Sequence, residues 1–271
     1  MKHTKSLPFK EFTLRQSNLN YFLWTTELIY GIVKQQKILE QYPQNQLAWE
    51  ALNHIQSEAW FPTAKDRIKG NVKNSIKYKG TIGEMMQQLD DNFVIVLWSV
   101  AVIFVADFEI YVEARFPEWW EYMQPKEGKP PPMVPAPVPL LKSLSDFYDK
   151  DEIVNIDPSI TLKADLMKWI RNLYAHKGLG GIPRTKQDAE IEQWIKKVIK
   201  GNSSYTVTQA EEVVNQVIGG AVAKSRAAKR AGKNLGQEFF YAIFMFTNIH
   251  NFAVALDTNF PNRVLSQSLS D

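Results

Sequence analysis

Between Trp169 and Gly178 the chain reads WIRNLYAHKG, which places Arg171, Asn172 and His176 within six residues, just ahead of a glycine break. Only four histidines occur in the chain, at His3, His54, His176 and His250. Imidazole, with an unperturbed pKa of about 6.5, takes up and releases protons near neutrality. Arg is permanently charged and fork-shaped, which suits phosphate oxygens and the negative charge that builds in a phosphoryl-transfer transition state. Asn172 adds an amide that can orient either group, or a phosphate, by hydrogen bonds.

Most other chemistries leave no trace. Zero cysteines exclude a disulfide framework, thiolate metal sites and cysteine nucleophiles, and they fit a reducing, cytoplasmic setting. No G-x-x-x-x-G-K-[ST], G-x-S-x-G or H-x-x-x-H pattern is present, so the glycines of GLGGIP and GGAVAK form no phosphate loop. With the histidines scattered, no zinc site is expected, and no cofactor either. Adjacent carboxylates such as Asp90 with Asp91, or Glu211 with Glu212, read as solvated helix faces rather than as an acid/base dyad.

The elements that must position these residues read as helices nearly everywhere. The chain has 271 residues, 45% of them apolar and 12% aromatic, enough to bury a core in one large domain or two small ones. Apolar residues recur at spacings of three and four in NYFLWTTELIYGIVKQQKILEQY and in QLAWEALNHIQSEAW, and no alternating strand pattern competes. Helical spans are predicted from Glu84 to Tyr122 and from Gln237 to Leu256. The break between them, residues 124–139, holds seven of the fourteen prolines and is read as a long loop inside one bundle. The run from Phe93 to Ala106 is the one membrane suspect. As a helix it measures about 21 Å against roughly 30 Å of hydrocarbon, and Asp90, Asp91, Asp107 and Glu109 bracket it, so a buried core helix is expected and no membrane. The N-terminus has no apolar run behind its lysines, so no secretory signal is expected.

Arg171-Asn172-Leu173-Tyr174-Ala175-His176 resembles the signature of the HEPN superfamily, an Arg usually followed by a polar residue and then a His after four to six others. The resemblance extends to context. HEPN domains are helical bundles whose motif follows a long, very apolar helix, often carrying an acidic residue in a phrase such as Phe108-Glu109-Ile110-Tyr111-Val112 here. It covers about Glu84 to Leu256 and implies an all-α fold. The implied organisation is an N-terminal helical segment without counterpart at 1–80, a HEPN-like bundle at 81–260 and a flexible tail at 261–271.

The resemblance implies a metal-independent endoribonuclease, of the kind found as prokaryotic toxins or defence components. RNA supplies its own nucleophile in the 2′-hydroxyl, so a proton-transfer group and a cation suffice. The expected catalytic residues are Arg171, Asn172 and His176, with Glu109 and Tyr174 in support. RNA contacts are expected at Lys177 and in KSRAAKRAGK, where Lys224, Arg226, Lys229 and Arg230 cluster without an acid; the stretch from Lys65 to Lys79 is a second basic run. Net charge is +3, which permits a polyanionic partner without requiring one. The alternative is a non-catalytic helical module of the same fold that binds RNA, a nucleotide or a partner protein.

Geometry sharpens the choice. Taking Leu162, Leu166, Trp169, Ile170 and Leu173 as the apolar face puts Arg171 nearly opposite it and His176 at its flank, about 140° from Arg171 around the axis. One straight helix does not converge them. Either Gly178 ends the helix early enough to release His176, or a second copy completes the site, which predicts a homodimer. An antitoxin or regulatory protein is a further expected partner. On the bland reading His176 is a core-edge residue and Arg171 a solvated or ion-paired one. His250, in an apolar helix, is expected to be a hydrogen-bonded core residue.

Overall fold

A computed structural model of the chain describes residues 5–35, 82–124, 133–148, 156–202, 204–231 and 235–260. Regular structure among them is all helical: α1 (Leu7–Gln35), α2 (Ile82–Arg115), α3 (Pro117–Met123), α4 (Pro137–Phe147), α5 (Pro158–Lys177), α6 (Ala189–Gly201), α7 (Val207–Arg230) and α8 (Gln237–Asn259), with one 3-10 turn at Gly178–Gly181. The all-α expectation holds, with no strand among the described residues. QLAWEALNHIQSEAW, the basic run from Lys65 to Lys79, His3, His54 and the tail at 261–271 lie outside the described residues.

The chain divides into two compact units, one of residues 1–21 with 96–271 and one of residues 22–95. The division falls within α1 and α2. In the first unit the opening turns of α1 are part of the core: Phe9 and Phe12 are fully buried, and Phe12 stacks on Tyr111 at 5.2 Å between ring centroids. Described residues of the second unit include Tyr30, which stacks on Phe93 at 4.7 Å.

Proline chemistry sets two boundaries that periodicity misplaces. The span expected as one helix from Glu84 to Tyr122 breaks at Phe116, because Pro117 has no N–H for the ladder; it opens α3 at the first helical position, where that donor is not needed. Pro137 likewise opens α4, so the last three residues of the expected loop at 124–139 lie in a helix. The free N–H of Val138 in that first turn goes to Asp165 Oδ2, 2.9 Å away. A carboxylate of α5 thus acts as a cap for α4.

α5 is the hub, packing against α8, α7 and α4. Asp157 caps its start by accepting from the Ser159 N–H at 2.8 Å, and Pro158 takes the first position. The single apolar face expected for this helix is overturned. Leu162, Leu166, Ile170 and Leu173 are buried, but so are Thr161, Asp165 and Lys168, while Trp169 is only half-buried. With neighbours on several sides, a helix buries polar residues too, provided they find partners. Gly178 ends α5 with φ at 64°, the left-handed region, and its N–H bonds to Tyr174 O.

The other end of the core is tied by charge. Arg115 donates to Asp257 at 3.3 Å and to the Phe260 carbonyl, and the Ser6 N–H reaches the same carboxylate at 3.2 Å. α8 covers the span predicted for it and runs three residues further. His250 contacts Gln16 Oε1 through Nδ1 at 2.7 Å and is half-buried, as expected for a hydrogen-bonded core histidine. The apolar segments Phe93–Arg115 and Gln237–Asn259, each of 23 residues, are long and apolar enough to cross a membrane, and both are about half buried inside the protein, 50% and 44%. The first is longer than the Phe93 to Ala106 run considered from sequence.

Candidate functional site

The last two turns of α5 carry the motif. Arg171 and Asn172 are half-buried, and the Arg171 Nη1 donates to Asn172 Oδ1 at 2.9 Å. Arg171 Nε is buried with no hydrogen-bond partner. A buried, unsatisfied donor costs about 1–3 kcal/mol, and more when charged, so this position calls for an acceptor from water or from a ligand. Arg171 is therefore not the solvated residue opposite an apolar face that helical geometry suggested.

His176 is exposed on the last turn. It is neither a core-edge residue nor hydrogen-bonded to any described residue. The early helix end that would release it does not occur, because α5 continues through Lys177 and Gly178 is the capping residue. Arg171 and His176 thus remain five positions apart on one regular helix, about 140° around its axis. Within one chain the helix does not bring them together.

The supporting residues reach α5 by separate routes. Glu109 of α2 pairs with Lys168 at 2.7 Å, one turn before Arg171, rather than with Arg171 itself. Lys168 Nζ also donates to the carbonyls of Val134 at 2.8 Å and Pro135 at 3.3 Å, which accounts for its three N–H groups. Burial lowers the Lys168 pKa, Glu109 opposes that shift, and the nearby Arg171 charge adds to it. Tyr174 stacks on Trp98 at 4.5 Å, fixing the side of the helix next to the motif against α2.

The cations expected to hold RNA divide. Lys177 is engaged by Glu190. Lys224, Arg226, Lys229 and Arg230 are all exposed on the last turns of α7, with Lys224 Nζ 5.0 Å from the Phe244 ring. Among the described residues no hydrogen bond or ion pair joins them to Arg171 or His176. No group of three or more potential metal-ligating residues occurs among the described residues.

Sequence reasoning missed the cavity beside the motif. A space of about 250 Å³ lies between α4, α5 and α6, lined by Pro135, Val138, Asp165, Lys168, Trp169, Asn172 and Lys197 among others. Asp165 Oδ1 accepts from the Trp194 indole N–H at 2.9 Å, and burial raises the Asp165 pKa despite its hydrogen bonds from Val138 and Trp194. Its signal in the sequence is the i, i+3 pair Asp165 and Lys168 set among Ala164, Leu166, Met167, Trp169 and Ile170. The chain matches no protein-family model, no curated protein and no solved structure.

Proposed function

We propose that the protein is a HEPN-type, metal-independent endoribonuclease that cleaves RNA by attack of the 2′-hydroxyl on the adjacent phosphate. The observation that carries the reading is the pairing of an enclosed cation with an open imidazole: Arg171, held by Asn172 and with its Nε unpartnered, and His176, exposed on the same helix end. His176 moves the proton of the 2′-hydroxyl or of the leaving 5′-oxygen, and Arg171 neutralises the charge gathering on the phosphate. Asn172 keeps the guanidinium in one orientation.

Because the two groups diverge on one regular helix, the active form is a symmetric homodimer in which two α5 ends face each other and share a cationic groove. Repulsion between the two Arg171 side chains makes that groove favour a phosphate. A toxin or defence role, with an antitoxin or other regulatory protein as partner, follows from the same resemblance. The test is incubation of purified protein with RNA in EDTA. Products ending in a 2′,3′-cyclic phosphate are expected; cleavage of an all-deoxy strand, or a requirement for Mg²⁺, would overturn the mechanism. Sedimentation at micromolar concentration should find a dimer.

A further inference from the structure

We propose that the cavity between α4, α5 and α6 is a base-holding subsite, which takes one nucleobase of the RNA beside the scissile phosphate and so sets sequence preference. This rests on the ribonuclease reading for its place in the reaction, and on the cavity itself for its chemistry. The volume is about 250 Å³. That lies just under the about 300 Å³ at which ordinary ligand cavities begin. A single ring system with its sugar at the mouth fits; a longer stretch of chain does not.

The lining is apolar with few polar groups, and those are of mixed kind. Pro135, Ala136, Val138, Pro139 and Val198 supply the apolar walls. Trp169 lines the space and its indole N–H is buried without a hydrogen-bond partner. Asp165 uses each carboxylate oxygen once, toward Val138 and Trp194, leaving acceptor capacity. Asn172 spends its carbonyl on Arg171 and keeps its amide donors. Lys168 is not available, since its N–H groups are engaged. Donors and an acceptor on a narrow, apolar slot complement the amide-like edge of a nucleobase, and a purely aliphatic ligand would leave the indole N–H unsatisfied.

Charge and continuity favour the same occupant. Lys197 is exposed, with its Nζ 5.0 Å from the Trp169 ring, so a cation stands beside the cavity where a phosphate attached to the sugar can meet it. Asn172 belongs to both places, lining the cavity and holding Arg171. A base seated against Asn172 therefore brings its backbone phosphate toward the guanidinium.

The experiment has two arms on the full chain. In the first, AMP, CMP, GMP and UMP are titrated separately by calorimetry; one is expected to bind at least tenfold more tightly than the weakest. Gly201→Leu should weaken that binding at least tenfold, because Gly201 lines the cavity and a Cβ there meets open space, which gives a bulkier side chain room to narrow the slot. Trp169→Phe removes the indole N–H together with part of the ring and should weaken binding by at least about threefold. A cooperative melt establishes that each variant is folded, and Trp169→Phe serves if Gly201→Leu is not. In the second arm cleavage sites are mapped on a random RNA, where Gly201→Leu should flatten the base preference next to the cut. If RNA is cut but no mononucleotide binds and the preference is unchanged, the subsite is wrong and the ribonuclease reading survives. If a mononucleotide binds with the expected selectivity and RNA is never cut, the cavity holds a free nucleotide and the ribonuclease reading falls. If neither happens, both fall.

Discussion

Two parts of α5 carry charge under opposite conditions. In its middle turns Asp165 and Lys168 are buried and hydrogen-bonded, one capping α4 and holding the Trp194 indole, the other tying Glu109 of α2 to the carbonyls of Val134 and Pro135. In its last two turns Arg171 is half-buried with one donor unpartnered, and His176 is exposed. Buried, satisfied charge fixes the relative placement of helices, and its removal is felt as stability. Buried charge left unsatisfied costs stability, open charge contributes little to it, and either is available to a ligand. The charged residues of one helix therefore separate into positioning and acting groups by their partners, not by residue type.

That contrast can be broken most decisively at its far end. His176→Ala should reduce RNA cleavage by about 10²- to 10⁴-fold, the usual share of one general acid or base, with stability changed by no more than about 0.5 kcal/mol, as for ordinary surface substitutions. Cleavage rates and a thermal melt on the same sample check both halves. Loss of the cooperative melt would move His176 to the structural side.

The reverse outcome is expected in the middle turns. Lys168→Ala leaves Glu109 and two carbonyls without their donor and should cost about 3–5 kcal/mol, the penalty of breaking a buried pair. Lys168→Met, which keeps the stem, tests how much of that is lost packing. Urea unfolding of both variants measures it, and a cost near zero for Lys168→Ala would dissolve the distinction.

A smaller and different signature belongs to the open cations of α7. Replacing Lys224, Arg226, Lys229 and Arg230 with Ala should weaken RNA binding without sequence bias and flatten its salt dependence, by about 0.7 in log–log slope for each phosphate of a single strand that is no longer neutralised. Binding measured across a salt series decides it. An unchanged slope would make this face solvated charge only.

The smallest effect is expected at His250. Burial, with Lys5 adding to it, holds its pKa below the ordinary value. A lowered imidazole pKa means that the fold favours the neutral ring. Its contribution is fully present above the unfolded value of about 6.5 and is lost as pH falls through the lower folded value. Melting temperatures recorded from about pH 7.5 down to about pH 5 should therefore fall less steeply in His250→Gln than in the parent chain.

Particular residues separate what the sequence by itself determined from what only tertiary structure decided. Spacing of apolar residues is a local property, so the helices of α5 and α8 were legible, as was the end of α5 at Gly178, whose backbone conformation is a matter of its own missing Cβ. His250 as a hydrogen-bonded core residue was legible from its apolar surroundings. Helix edges at Phe116 and Pro137 were within reach of proline rules but were hidden by runs of apolar residues on both sides. What no periodicity holds is the number of neighbours a helix acquires. A helix touched by α4, α7 and α8 has no single apolar face, so Asp165 and Lys168 could be buried and Arg171 half-enclosed, although a one-faced helix would expose Arg171. The partners that make such burial tolerable, Val138, Trp194, Glu109 and the carbonyls of Val134 and Pro135, lie 27 to 59 positions away in sequence. The cavity beside Trp169 exists for the same reason, because it is a space left between three helices and belongs to none of them.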